Sequence, residues 1–327
     1  MGLLTARDGV VGPWQGAVAP PVRPPAAPEN LRAYPDWCRQ VALSNEILSR
    51  LTYSFEPADG MAMVHLLDFS RPGQISSAPL VQLIAPDPED FVVQTRIVHD
   101  YADLRPDRMG EISDQVEGTL DYFARLLPFD MARMPLTMNL LGLAQDCALH
   151  AAQHCKHLLA CRRPDAFSAQ IQPMIPTPGH SALPSGHATE AFTIAETLRR
   201  LVPGEFSAEG LDQKLMQMAA RIAVNRTVAG VHFPADSFAG AMLGFAVADV
   251  IARRAGQPED ILPVLFDGRG IGHADFHMAR VWRDGARQDF ATDDGAEITR
   301  FGRDAIATDT SGLLRWLWSE AVQEWRR

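Results

Sequence analysis

The chain has little that would let it span a membrane, cling to nucleic acid or depend on disulfides. No apolar run reaches the roughly 18 residues a spanning helix requires. The nearest, Phe238 to Ala252, is shorter and carries Asp249. Basic charge is scarce: 30 Lys and Arg stand against 40 Asp and Glu, giving a formal charge of −10. That balance argues against nucleic acid or an anionic membrane surface as a partner, since both demand a basic footprint. Cysteine is sparse, and Cys38, Cys147, Cys155 and Cys161 show no C-x-x-C spacing. Three of them fall in one helical pattern, so buried thiols in a reducing compartment are expected rather than a disulfide framework. The opening MGLLTARDGVVGPW has no basic n-region, Arg7 and Asp8 interrupt any apolar stretch, and Ala6 stands where myristoylation wants Ser or Thr. The expectation is a cytoplasmic protein with a small-molecule substrate, no nucleic acid and no membrane span.

What is present is helical periodicity. A chain of 327 residues makes one large domain or one domain with appendages. Residues 1–30 carry Pro13, Pro20, Pro21, Pro24, Pro25 and Pro28 and read as a loose or extended arm. Residues 31–255 read as a helical domain with its site in 150–240, and 256–327 as a C-terminal extension packed on it. The long termini offer surface for contacts in a homo-oligomer. Helices are predicted over 34–52, 113–126, 135–161, 186–201, 208–228 and 234–254. The stretch from Pro79 to Thr95 could hold a short strand, though its prolines oppose one. The fold class expected is all-α, a helical bundle.

Three stretches carry chemistry. Leu183-Pro184-Ser185-Gly186-His187 leads into an apolar-periodic helix, with Ser185 a natural N-cap. The free N–H groups and the dipole at such a start favour an anion, and Gly186 lets it approach the backbone. His187 then sits in the first turn, able to protonate a bound oxyanion; an ordinary capped helix with its histidine in water would read the same. Next, Asn225-Arg226 is followed by His232 and Asp236, with Pro234 suited to a first helical turn. A carboxylate one turn along can hold one imidazole nitrogen and leave the other free as nucleophile or ligand. The alternative is a surface histidine paired with a helix neighbour. Last, Lys156 and Arg163 stand seven apart at the end of the long helix, where solvated cations also complement the dipole. Taken together, one lysine, two arginines, two histidines and a helix N-terminus in an acidic protein suit a tetrahedral oxyanion.

Lys156 with Arg163-Pro164, Pro184-Ser185-Gly186-His187, and Arg226 with His232 and Asp236 together resemble the tripartite signature of the type 2 phosphatidic acid phosphatase and vanadium haloperoxidase superfamily. The resemblance implies an all-α bundle with the site between helices. It implies that Lys156, Arg163, Ser185, Gly186 and Arg226 hold phosphate or vanadate oxygens. It makes His232 the nucleophile, or the vanadium ligand if vanadate is bound, with Asp236 orienting it and His187 as acid–base. One departure is Asn225, where the motif usually has serine; Asn keeps hydrogen-bonding capacity.

Both activities suit one pocket, because five-coordinate vanadate resembles the trigonal bipyramid of phosphoryl transfer. His180, five residues before Ser185, resembles the position where brominating haloperoxidases carry a histidine, although a plain loop histidine would stand there as well. The short spacing from His187 to Arg226, and Gln153 where an aromatic wall might stand, point toward phosphatases. The sequence reading leans to a vanadate-dependent haloperoxidase oxidising bromide rather than chloride with hydrogen peroxide. A soluble acid phosphatase working through a phosphohistidine at His232, without cofactor, is the alternative, and a non-catalytic oxyanion-binding protein the third. Among competing sites, His150, His154 and His157 have the spacing of a divalent-metal face but lack a completing ligand. Gly268, Gly270 and Gly272 miss the dinucleotide pattern and read as a plain loop.

Overall fold

The computed structural model describes residues 7, 9–206 and 210–326. The chain forms two compact units, Met1–Tyr34 and Pro35–Arg327. In the first, residues 14–24 have neither helix nor strand, and Pro28–Ala33 makes a short 3-10 helix whose Asn30 Nδ2 donates to Pro24 O at 2.8 Å. Residues 7, 9 and 10 are helical where an extended arm is expected, and residues 1–6 and 8 lie outside the described residues.

The second unit corrects the all-α expectation: it is a mixed α/β structure. After helix α1 (Asp36–Leu48) come strands β1 (Leu51–Glu56), β2 (Met61–Asp68) and β3 (Ser76–Ile84). Much later in the chain come β4 (Val264–Asp267), β5 (Trp282–Arg283), β6 (Ala286–Arg287), β7 (Phe290–Ala291) and β8 (Glu297–Phe301). A six-stranded sheet runs in the order β1-β2-β3-β4-β8-β7, parallel only at β3–β4, and β5 and β6 form a separate pair. The β1–β2 hairpin turns at residues 57–60, where Gly60 takes φ +63°, a value glycine adopts freely. Ala62, Val64 and Leu66 then alternate into the core. Pro79 is accommodated in β3 because the β2–β3 register shifts beside it, so its missing N–H falls at a bulge.

The helices follow their patterns more closely. The expected 34–52 helix stops at Leu48, since 51 onward pairs as β1. Of the Pro79–Thr95 stretch, the first part is a strand as expected, the end of β3, and the second is helix α2 (Pro88–Asp100). The expected 113–126 helix is two, α3 (Arg105–Glu117) and α4 (Leu120–Ala124), separated at Gly118. Helix α5 (Pro135–Leu159) ends on Ala160 in the left-handed region, φ +52°. Helices α6 (Gly186–Leu201), α7 (Leu211–Val228) and α8 (Pro234–Arg254) follow, and α9 (Gly312–Trp325) packs on α5. The predicted start of α7 at 208 lies outside the described residues.

Helix α8 is the axis of this unit, with every residue from Pro234 to Ala252 buried. Among the described residues it alone is long and apolar enough to cross a membrane, and it is enclosed by the chain's own elements. It lies very close to α6: a Cβ on Gly240 would come 2.7 Å from Ser185 O, and one on Gly244 2.7 Å from Thr189 O and 3.0 Å from Phe192 Cβ. The far end of α8 is tied to the late strands through charge. Asp249, buried on α8, accepts from Arg287 Nη1 at 2.7 Å and from Arg200 Nη2 at 2.6 Å, and Glu196 accepts from Arg287 Nε at 3.1 Å. Because the atoms opposing Gly244 include backbone, Gly244→Ala forces the two helices apart. It is expected to lower stability by about 1–3 kcal/mol, read as a lower midpoint in urea unfolding; an unchanged midpoint would contradict the close crossing.

Candidate functional site

The close crossing of α6 and α8 brings two of the three motifs together. Ser185 caps α6, its Oγ accepting from Ala188 N–H at 3.3 Å, while its own N–H donates to Asp236 O on the first turn of α8 at 2.9 Å. Asp236 is fully buried, and its Oδ2 accepts from Phe233 N–H at 2.9 Å and from His232 Nδ1–H at 2.8 Å. That contact sets the tautomer of His232 and turns the Nε2 lone pair outward, 3.2 Å from Arg163 Nη1.

The third motif arrives from the end of α5. Lys156 Nζ donates to Ser181 O and Ala182 O, each at 2.8 Å. Arg163 Nε donates to His180 O at 3.1 Å and Nη1 to Val231 O at 2.7 Å, while Nη2 lies 3.2 Å from His180 Nδ1. These cations therefore clamp the 180–182 segment as well as facing the site. Arg226, near the end of α7, donates through Nη2 to Gln115 Oε1 at 2.8 Å and to Ile112 O at 3.3 Å. Its Nε and Nη1 are buried with no partner among the described residues. Two such donors are costly to leave unpaired, on the order of 1–3 kcal/mol each.

Arg163, His180, Gly186, His187, Arg226 and His232 all line one cavity of about 230 Å³. Ser185 and Asp236 stand behind its wall, fully buried. Lys156 instead lines an adjoining, more open depression of about 500 Å³ that meets the cavity at Gln153, Arg163, Pro178 and His180. The rest of the cavity wall is mostly aliphatic: Val116, Leu149, Ile175, Pro176 and Val231.

Burial dominates the electrostatics. It pushes Lys156 down to about 7, with Arg163 adding to the effect, and Arg226 down to about 10. His187 falls to about 4, first through burial and then through Arg226, and His232 lies well below the ordinary histidine range, through burial, Lys156 and Arg163. Burial raises the Asp236 carboxyl, to about 7, against the hydrogen bond from Phe233 and the charges of Lys156 and Arg163. His180 is lowered by burial and by Lys156. Both central imidazoles are therefore neutral near pH 7, with Nε2 of His232 accepting from Arg163 Nη1 at 3.2 Å.

Two contributors were not foreseen from sequence. Gln115 on α3 is fully buried and joins three site residues: its Oε1 accepts from Arg226 Nη2 and from Asn225 Nδ2 at 3.0 Å, and its backbone O accepts from His187 Nε2–H at 2.9 Å. Asn225, the departure in the third motif, thus braces the arginine beside it, and it accepts from Arg108 Nη1 at 2.8 Å. Nothing local in α3 announces this, because the contact closes across the fold. Glu190, lining the cavity one turn after His187, was legible from helical spacing alone.

The competing sites resolve otherwise. Nδ1 of His150 and of His154 each bonds the carbonyl four residues back, at 2.8 Å, and the His154 ring stacks on Tyr53 with centroids 4.2 Å apart. Among the described residues no group of three or more His, Cys, Asp or Glu could hold a metal ion. The glycine loop wraps a carboxylate of its own chain, Gly270 and Gly272 N–H donating to Asp90 at 2.8 and 3.0 Å. All four cysteines are free thiols.

Residues 135–257 match the family model of the PAP2 superfamily. The matched stretch contains α5, α6, α7 and α8, the helices around the site, so over this region the chain is similar to a superfamily whose members are generally phosphatases or haloperoxidases. No curated protein matches the chain. Because Gln115 supplies an acceptor to both Asn225 and Arg226, Gln115→Leu strips Asn225 Nδ2 of that partner and leaves Arg226 Nη2 only its longer bond to Ile112 O. A loss of about 1–3 kcal/mol in urea unfolding is expected, with a smaller loss for Gln115→Glu, which keeps an acceptor; equal losses would contradict the bracing role.

Proposed function

We propose that the chain is a phosphatase that hydrolyses phosphomonoesters through a phosphohistidine at His232. The observation that carries this reading is the pairing of His232 Nδ1 with buried Asp236 at 2.8 Å, which leaves Nε2 on the side of Arg163, in a residue that lines one cavity with Arg163 and Arg226. Arg163 and Arg226, with the Gly186 amide at the start of α6, would take the phosphoryl oxygens. Lys156 adds charge from behind the 180–182 segment. The aliphatic wall of Val116, Leu149, Ile175 and Pro176 suits the organic group of an ester.

In this mechanism Nε2 of His232 attacks phosphorus, a P–N bond forms and the P–O bond to the leaving group breaks. His187 gives the leaving oxygen its proton. The Gln115 carbonyl holds Nε2–H of His187, so that proton travels on Nδ1. In the free cavity His187 is pushed down to about 4 by burial and by Arg226. A bound phosphate dianion offsets the guanidinium charge and raises it, so substrate arrives together with the proton the step consumes. Water then attacks phosphorus, with His187 as base, and the P–N bond breaks to release phosphate and restore His232.

Halide oxidation is the second reading, favoured by His180 on the cavity wall with Nδ1 3.2 Å from Arg163 Nη2. Vanadate fits the same donors: Arg163 and the orphaned Arg226 nitrogens would hold its oxygens and His232 Nε2 would ligate it. Bound there, vanadate would supply activation of hydrogen peroxide toward bromide or chloride. An oxyanion binder without turnover would leave the Asp236–His232 pair without use.

The test is a paired assay on purified protein. Release of p-nitrophenol from p-nitrophenyl phosphate, inhibited by vanadate, is expected. His232→Ala should lower kcat by at least ~10³-fold without loss of the folded state. Bromination of a phenolic dye that requires vanadate and peroxide, with no ester hydrolysis, would replace the first reading with the second. Unchanged turnover in His232→Ala would remove both.

A further inference from the structure

Glu190 is the one group on the cavity wall with the wrong sign. It lies on α6 one turn after Gly186 and His187 and lines the cavity with Arg163, Arg226 and His232. Its Oε2 accepts from Gln145 Nε2 on α5 at 3.0 Å. Its Oε1 overlooks Gly186, only 3.9 Å from where a Cβ on that glycine would lie. None of the cavity's cations makes an ion pair with it among the described residues. As a carboxylate in that place it would repel an anion held at the Gly186 amide. As a carboxylic acid it would offer that anion an O–H donor.

We propose that Glu190 is carried as the neutral acid and donates its carboxyl proton to an oxygen of the bound tetrahedral oxyanion beside Gly186, so that the pocket binds phosphate-type anions in the acid range and releases them when Glu190 ionises. The assignment rests on the oxyanion-pocket reading given above. Burial and Asp146 raise the carboxyl to about 7, against the Gln145 hydrogen bond and the Lys156 charge. The sign follows: below about 7 the wall is neutral and a donor, above it negative and an acceptor only.

Other titratable or charged groups line the same cavity or act on Glu190 through charge, and bound what Glu190 can be credited with. Asp146 and Lys156 come from α5, Arg226 from α7, His187 from α6 itself, and Arg163, His180 and His232 from the intervening loops. Without an anion His187 and His232 lie below the ordinary histidine range, but a bound anion raises His187, and Lys156 loses its proton over the same range as Glu190. The experiment must therefore compare variants and not rest on one profile.

Sulfate is the probe, because its charge is constant from pH 5.5 to 8.5, and calorimetric titration gives its affinity. In the wild type the affinity is expected to fall at least tenfold across that range. In Glu190→Gln, which keeps a neutral donor, the fall shrinks by threefold or more. In Gln145→Leu, which removes the N–H favouring the carboxylate, the fall moves to higher pH. The alkaline limb of kcat/KM for p-nitrophenyl phosphate should shift in the same directions. Superimposable sulfate profiles for wild type and Glu190→Gln would overturn the assignment, as would a wild type that binds no sulfate at any pH. Ester hydrolysis with superimposed profiles would remove Glu190 alone. A Glu190-dependent sulfate profile in a protein that hydrolyses no ester would keep Glu190 and remove the phosphatase reading.

Discussion

The close approach of α6 to α8 is the constraint on which the site depends. Glycines at 240 and 244 let the two helices cross with backbone nearly touching side-chain roots. At that separation Ser185 N–H reaches the Asp236 carbonyl at 2.9 Å. The bond joins the N-cap of one helix to the first turn of the other, so the amide end of α6 and the His232–Asp236 pair are set by a single contact. A few tenths of an ångström added at either glycine would be felt in both. Close packing in protein interiors transmits such changes rather than absorbing them.

Around that contact the chain buries Lys156, Arg163 and Arg226 almost completely. Buried charge must be paired or hydrogen-bonded. Lys156 and Arg163 meet the requirement with backbone carbonyls from 180–182 and Val231, which makes them struts of the pocket as well as sources of positive potential. Arg226 is only partly satisfied, through Gln115 and Ile112. Its Nε and Nη1 have no partner among the described residues, a cost that an acceptor at those nitrogens would offset. Burial and the same positive field hold both imidazoles below the ordinary histidine range.

The sheet lies outside the stretch that matches the superfamily, yet it is joined to the helices that carry the site. Arg287, on one of the late strands, bridges Glu196 of α6 and Asp249 of α8. Arg254 at the end of α8 donates to Asp309 O and Glu46 O, drawing the C-terminal segment and α1 to the same helix. Removing one partner from such buried clusters strands the others, so they hold the helices in place more through the penalty of breaking them than through their net strength.

The amino-acid sequence alone determined the site-bearing helices and the charged and imidazole side chains at their ends. Ser185 before an apolar periodic run, Pro234 at a first turn, and Asp236 four residues after His232 are local patterns, and local backbone geometry carries them out. Glu190 belonged to the same legible class, since i to i+3 spacing puts it on the His187 face. Of the sheet only the β3 region was legible; β4 and β8 are four and five residues long and acquire strand character only by pairing with segments distant in the chain. Gln115 escaped for the same reason: its role is to meet Asn225, Arg226 and His187 across helices that no sequence interval relates. Which groups face one cavity, and which stand behind its wall, was decided only when the tertiary structure packed α5, α6, α7 and α8 together, since hydrogen bonds and desolvation act through space and not along the chain.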